Sequence, residues 1–147
     1  MAVRGLVLDG PQTLLIADDD PRIRGFIMDL VRGESGIRVL GEAGDGEEAV
    51  RLARELRPAV VLMDLAMPRM GGLEALRRTK RELPATKVIV VTVHGEDAYR
   101  RAAFACGADA FIVKKRLRGE LLSTLRRVEE RAVRPRQRGA EDAPLTD

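Results

Sequence analysis

Five short apolar runs, separated by stretches with helical spacing, constrain this 147-residue chain more than any other feature. The runs are Thr13 to Ala17, Ile37 to Leu40, Ala59 to Met63, Val88 to Val91 and Ala110 to Val113. All but the second are unbroken, the pattern of strands covered on both faces. In the first helical stretch Ile23, Phe26, Ile27, Leu30 and Val31 make one apolar stripe, and Asp20 with Pro21 suits a helix cap and first turn. Ala49, Leu52, Ala53 and Leu56 repeat the stripe after a first turn with Glu47 and Glu48. Further helices are predicted over Leu73 to Leu83, Glu96 to Cys106 and Arg118 to Ala132. Such alternation calls for a doubly wound parallel sheet with helices on both faces, an α/β/α sandwich. Right-handed crossovers leave strand order 2-1-3-4-5 as the expected topology. Ligands then bind outside the carboxyl ends of the strands, between strands 1 and 3.

The residues that succeed each strand are therefore brought to one rim. Strand 1 runs into Asp18, Asp19 and Asp20, strand 3 into Asp64, strand 4 into Thr92 and strand 5 into Lys114. Asp64 alone would be an expensive place for an acid, since a buried carboxylate without partners costs several kcal/mol. Converged carboxylates repel one another unless a cation intervenes. Oxygen-only donors suit Mg²⁺. With phosphoryl oxygens neutralised, Asp64 is the nucleophile, Lys114 a point charge and Thr92 a hydrogen-bonding hydroxyl. The set reads as a phosphoryl-accepting aspartate.

Plainer roles suit the other candidates. Asp20 is better explained as a helix cap than as a ligand, Asp45 in GDG as a turn residue, and His94 as a loop residue. Cys106, between Ala105 and Gly107, reads as a small buried thiol. As the only cysteine it allows no internal disulfide, which suits a reducing, cytoplasmic setting. No run approaches the ~20 apolar residues of a membrane span, and MAVRGLVLDGPQ is a poor signal peptide. The +3 net charge is uneven: residues 114–138 hold 10 basic and 3 acidic side chains. We read this basic segment as a solvated helix face and tail.

Taken together, four segments resemble the receiver domain of two-component response regulators. LLIADDDPRIR resembles its acidic-pair motif, VVLMDLAMPRMGGLEAL its phosphoacceptor motif, VIVVT its switch-threonine strand and GADAFIVKK its aromatic-switch and lysine motif. The match runs from about Leu14 to Val128, and GIRVLGEAGDGEEAV with PATKVIVVT narrows it to the NarL/FixJ (LuxR-type) branch. The resemblance implies a flavodoxin-like fold, Asp64 as phosphoacceptor, and Asp18, Asp19, Asp64 and the Ala66 carbonyl as ligands of Mg²⁺ or Mn²⁺. It implies Thr92 and Phe111 as the switch pair, Lys114 as the site lysine, and Ala66 and His94 as positions that tune hydrolysis. It also implies a cognate sensor histidine kinase as phosphoryl donor, possible pairing of two copies on phosphorylation, and no turnover activity. Lys115 departs from the branch, which often has Asp there.

The expected organisation is an N-terminal extension at 1–12, the receiver domain at 13–132, and a linker or disordered tail at 133–147. The closing PLTD resembles the opening of a LuxR-type helix-turn-helix domain, so DNA contact is expected only through an output domain outside this chain. Competing readings are a stand-alone receiver or a pseudo-receiver acting by protein–protein interaction. A flavin-binding protein on the same scaffold would want a phosphate-cradling loop after strand 1, and DDDP is electrostatically the opposite.

Overall fold

The computed structural model describes residues 10–142, with side-chain surroundings through residue 130. Most of the expected N-terminal extension and the whole of PLTD lie outside the described residues. Among the described residues the order is β1 (Gln12–Ala17), α1 (Pro21–Val31), β2 (Ile37–Ala43), α2 (Gly46–Leu56), β3 (Val60–Met63), α3 (Gly72–Glu82), β4 (Lys87–Thr92), α4 (Asp97–Ala105), β5 (Ala110–Val113) and α5 (Leu117–Asp142). A 3-10 turn at Lys114–Arg116 joins β5 to α5. The strands pair in parallel in the order β2-β1-β3-β4-β5, as the alternation requires.

Alternate residues of each strand feed opposite faces of this sheet. Leu15, Ala17, Val61, Met63, Val88 and Val90 pack against Ala49 and Ala53 of α2, Ala75 and Leu76 of α3 and Ala103 of α4. On the other face Leu14, Ile16, Leu62, Ile89 and Ile112 meet Ile27 and Val31 of α1 and Leu121, Leu125 and Val128 of α5. The central strands β1, β3 and β4 are buried almost end to end, whereas β2 is mostly half-exposed.

Several boundaries differ from the sequence reading, most by a single residue. The second strand continues through Gly41 and Glu42 to Ala43, because an edge strand tolerates polar side chains facing water. A register shift opposite Leu14 and Leu15 accommodates one extra residue there. The fourth strand starts at Lys87, whose backbone pairs with Val60. Helix α5 runs to Asp142, past the expected end at Ala132. Arg, Gln, Ala and Glu extend a helix once its packed first turns have nucleated it, despite Pro135 and Gly139.

Candidate functional site

At the carboxyl end of β1 the backbone ladder carries one residue further, since the Asp18 amide donates to the Ala43 carbonyl at 3.0 Å. Asp64 is held in the same way after β3, its amide donating to the Ala17 carbonyl at 3.0 Å. These bonds put two acids on neighbouring strand ends. Asp18 and Asp64 are buried, at 3% and 4% exposure, while Asp19 faces solvent. Carboxylate oxygens of Asp18, Asp19 and Asp64 all lie within 4.8 Å of one another.

Lys114 enters from the end of β5. Its ammonium lies 2.7 Å from Asp18 Oδ2 and 3.4 Å from Asp64 Oδ2, and its side chain is only 14% exposed. Burial, then the charge of Asp18, raise the pKa of Asp64 above the ordinary carboxylate value, against Lys114 and the Ala66 N–H, which favour the anion. For Lys114 burial opposes the charged form, but the Asp18 and Asp64 carboxylates outweigh it and hold the ammonium above its ordinary value. One cation thus bridges two buried anions that would otherwise repel.

The acidic loop is fixed from below. Asp18 Oδ1 accepts from the Asp20 amide at 2.8 Å, and Arg24 Nη1 donates to the Asp18 carbonyl at 2.6 Å. Arg24 Nε also donates to Glu42 Oε1 at 2.8 Å, which ties α1 to β2 beneath the acids. Asp20 is the N-cap of α1, its carboxylate accepting from the Arg22 amide. The cap reading of Asp20 therefore stands.

Thr92 ends β4 fully buried, and its Oγ1 accepts from the His94 amide at 3.2 Å. His94 stacks on Tyr99 with ring centroids 4.8 Å apart, in keeping with the loop role read for it. Phe111 is 8% exposed, set against Phe104 at 6.5 Å and roofed by the Arg100 guanidinium at 4.8 Å. Ala66 is exposed between Leu65 and Met67, both buried, so its peptide is presented at the rim by two apolar anchors. Cys106 is half-buried, with Arg77 Nη2 at 3.6 Å from its sulfur.

Asp45 does more than turn the chain. Its Oδ1 accepts from the Glu48 amide at 2.8 Å as the α2 cap, and its Oδ2 accepts from Arg69 Nε and Nη2 at 3.0 and 2.9 Å. The Glu48 hydrogen bond foremost, with Arg69 assisting against desolvation, holds this carboxyl below its ordinary value. Glu48 in turn accepts from the amide of Gly44, the residue before the cap, at 2.8 Å, a variant of the capping box signalled by the spacing Asp45-x-x-Glu48. Neither Arg24 nor the Arg69 pairing carries a comparable sequence signal.

With this geometry in place, likeness to known proteins is decisive. Residues 14–126 match the response regulator receiver domain. The chain belongs to the response regulator receiver family. This receiver domain is 40% identical to the response regulator GacA of Pseudomonas aeruginosa over 78% of its own length and 54% of that protein's. It is 45% identical to protein-glutamate methylesterase/protein-glutamine glutaminase 4 of Myxococcus xanthus, over 71% of the chain and 30% of that protein. Among solved structures, a LuxR-family two-component response regulator from Aurantimonas superposes with a TM-score of 0.77 at 32% identity, covering 81% of this chain and 85% of that one. The chain spans about half, or less, of the length of the curated relatives it matches. The NarL/FixJ-type branch and the flavodoxin-like fold read from the sequence are both borne out.

Receiver domains bind Mg²⁺ at an acidic pocket, and the Asp18, Asp19 and Asp64 oxygens make an acidic cluster of that kind. The donor set is oxygen-only, with no histidine or thiolate among it, which fits a hard divalent ion. Among the described residues no helix is long and apolar enough to cross a membrane.

Proposed function

We propose that this receiver domain takes a phosphoryl group from the phosphohistidine of a sensor histidine kinase onto the carboxylate of Asp64. An Asp64 oxygen attacks phosphorus, the P–N bond breaks, and the imidazole leaves with the electron pair and takes up a proton. The observation that carries this reading is the Lys114 ammonium set between two buried carboxylates from different strand ends.

Asp18, Asp19, Asp64 and the Ala66 carbonyl are the groups that would hold Mg²⁺ or Mn²⁺. The ion, when bound, neutralises phosphoryl oxygens and so lowers the cost of bringing them to an anionic site. Lys114 stays in reach of Asp64 to balance the charge of the acyl phosphate, and the Thr92 hydroxyl donates to a phosphoryl oxygen. Asp64, desolvated and flanked by Asp18, exchanges a strained charge for a stabilised one as the phosphoryl group arrives. Ala66 and His94 flank the reacting position and govern the access of water to it. Movement of Thr92 then draws on Phe111 and shifts the β4–α4–β5–α5 face between two populations.

In the whole regulator, residues 13–132 act as the receiver, preceded by an extension at 1–12 and followed by a connecting segment at 133–147. The signal passes to a LuxR-type DNA-binding domain in the cytoplasm, pairing of two copies on phosphorylation being one route. The domain itself runs no catalytic cycle on an outside substrate. Incubation with acetyl phosphate and Mg²⁺ tests the core of this reading. The expected result is a mass gain of about 80 Da, lost in Asp64→Asn and on chelation. Mass unchanged under conditions that label another receiver domain would leave a pseudo-receiver acting by protein contact.

A further inference from the structure

We infer that Asp45 and Arg69 form a clasp that positions the β3–α3 loop for metal binding, making both positioning residues of the site although neither is a ligand. The inference rests on the phosphoacceptor reading above and extends it to the loop that carries Ala66.

The loop is short, and its ends are fixed differently from its middle. Leu65 and Met67 anchor it in the core on the α2–α3–α4 side of the sheet. The Gly72 amide closes it by donating to the Leu65 carbonyl at 2.9 Å. Between these anchors Arg69 and Met70 adopt φ of 46° and 92°. Two successive side-chain-bearing residues in left-handed backbone hold only where surrounding contacts over-determine them.

Those contacts come from the first turn of α2. The Gly46 amide donates to the Pro68 carbonyl at 3.4 Å and the Glu47 amide to the Arg69 carbonyl at 3.1 Å. Amides at a helix start have no partner within the helix, so these carbonyls satisfy them. A side chain at Gly46 would place its Cβ 1.9 Å from the Met70 carbonyl oxygen, so only glycine lets loop and helix approach this closely. Arg69 then folds back to Asp45 with both Nε and Nη2 on Oδ2, and Asp45 is only 12% exposed there. The ion pair adds a side-chain tie to these backbone contacts, its Asp45 end sheltered and its Arg69 end 66% exposed.

Ala66 lies three residues before Arg69, and its N–H already favours the ionised Asp64 carboxylate. Releasing Arg69 lets the strained segment relax, and relaxation moves the peptide at Ala66 before it moves the core. Losing a group that orients a ligand from outside the metal's own shell typically costs about 10–100-fold in affinity.

The test uses the full chain and two readouts, the Mg²⁺ dissociation constant by titration calorimetry and the rate of labelling by acetyl phosphate at varied Mg²⁺. Arg69→Gln is expected to weaken Mg²⁺ binding about tenfold, with labelling slowed at low Mg²⁺ and recovered at saturation. Asp45→Asn keeps an oxygen for the Glu48 amide, so the α2 cap survives, yet it should lose the same affinity. The double variant should be no weaker than either single one, the signature of a shared contact. Arg54→Gln is the control, because Arg54 of α2 pairs with Glu82 of α3, away from the loop. It should bind Mg²⁺ as the wild type does.

Wild-type Mg²⁺ affinity in Arg69→Gln, or an equal loss in Arg54→Gln, overturns the clasp while the phosphoacceptor reading stands. A wild-type chain that neither binds Mg²⁺ nor takes up the label overturns that reading instead, and the clasp's positioning role falls with it.

Discussion

Replacing Asp64 by asparagine should make the metal-free protein more stable, although it removes the residue on which the site depends. Burial costs a carboxylate several kcal/mol. The Asp18 charge, within 4.8 Å, adds repulsion of about 3.5 kcal/mol at an effective dielectric near 20. Lys114 at 3.4 Å offsets about 5 kcal/mol of this on the same scale. The balance falls against the charged form, in line with the raised pKa of Asp64. Asparagine keeps the shape and an acceptor for Lys114 without the charge, so a gain of about 1–3 kcal/mol is expected at neutral pH. Urea unfolding in EDTA should place the variant's midpoint higher by about 1 M, for a slope near 2 kcal/mol per M.

The pH dependence has a definite sign. The folded-state pKa of Asp64 lies above its ordinary 3.8, so the folded wild type is relatively favoured when that carboxyl is protonated. The advantage of Asp64→Asn should be absent below about pH 3.8 and open as pH rises through the raised value. Mg²⁺ should then narrow or reverse the order, because a ligand present at 100 times its dissociation constant stabilises by about 2.7 kcal/mol, and the variant has lost one of the carboxylates. An Asp64→Asn protein less stable than wild type in EDTA at pH 7, or a gap that widens on acidification, would refute the electrostatic argument.

Lys114→Met should have the opposite effect, lowering metal-free stability by about 3–5 kcal/mol because Asp18 and Asp64 are left buried without their shared cation; chemical unfolding with and without Mg²⁺ checks both the loss and its partial recovery. Gly72→Ala places a Cβ 1.9 Å from the Asp64 carbonyl oxygen and 2.6 Å from Leu65 Cα. Both obstacles are backbone, so calorimetric melting should report a loss of at least about 1–3 kcal/mol, accompanied by weaker Mg²⁺ binding as the loop is displaced.

Parallel strands make the central site legible in the sequence. An acid that ends a fully buried run must find partners, and parallel pairing sends every strand's successor to the same rim, so Asp18, Asp64 and Lys114 converge by topology alone. The start of α1 is equally readable, since Asp20 and Pro21 precede a first turn whose amides need acceptors, whereas Asp45, read as a turn residue, proves to cap α2. The Arg69–Asp45 pair is not, because its members are 24 residues apart and share no periodicity. Nor do Arg and Met announce left-handed backbone, which composition ordinarily assigns to glycine or asparagine. The full length of β2 escapes a sequence reading because Gly41 and Glu42 resemble a turn until an edge position is known. Arg100 over Phe111 is a contact between α4 and β5 that only packing reveals.

Lys114 has one more implication. A lysine already clamped between two acids acts as a resident counterion, so part of the negative charge at this rim is neutralised before any other cation arrives. The electrostatic balance of two strand ends thus rests on a single side chain from a third.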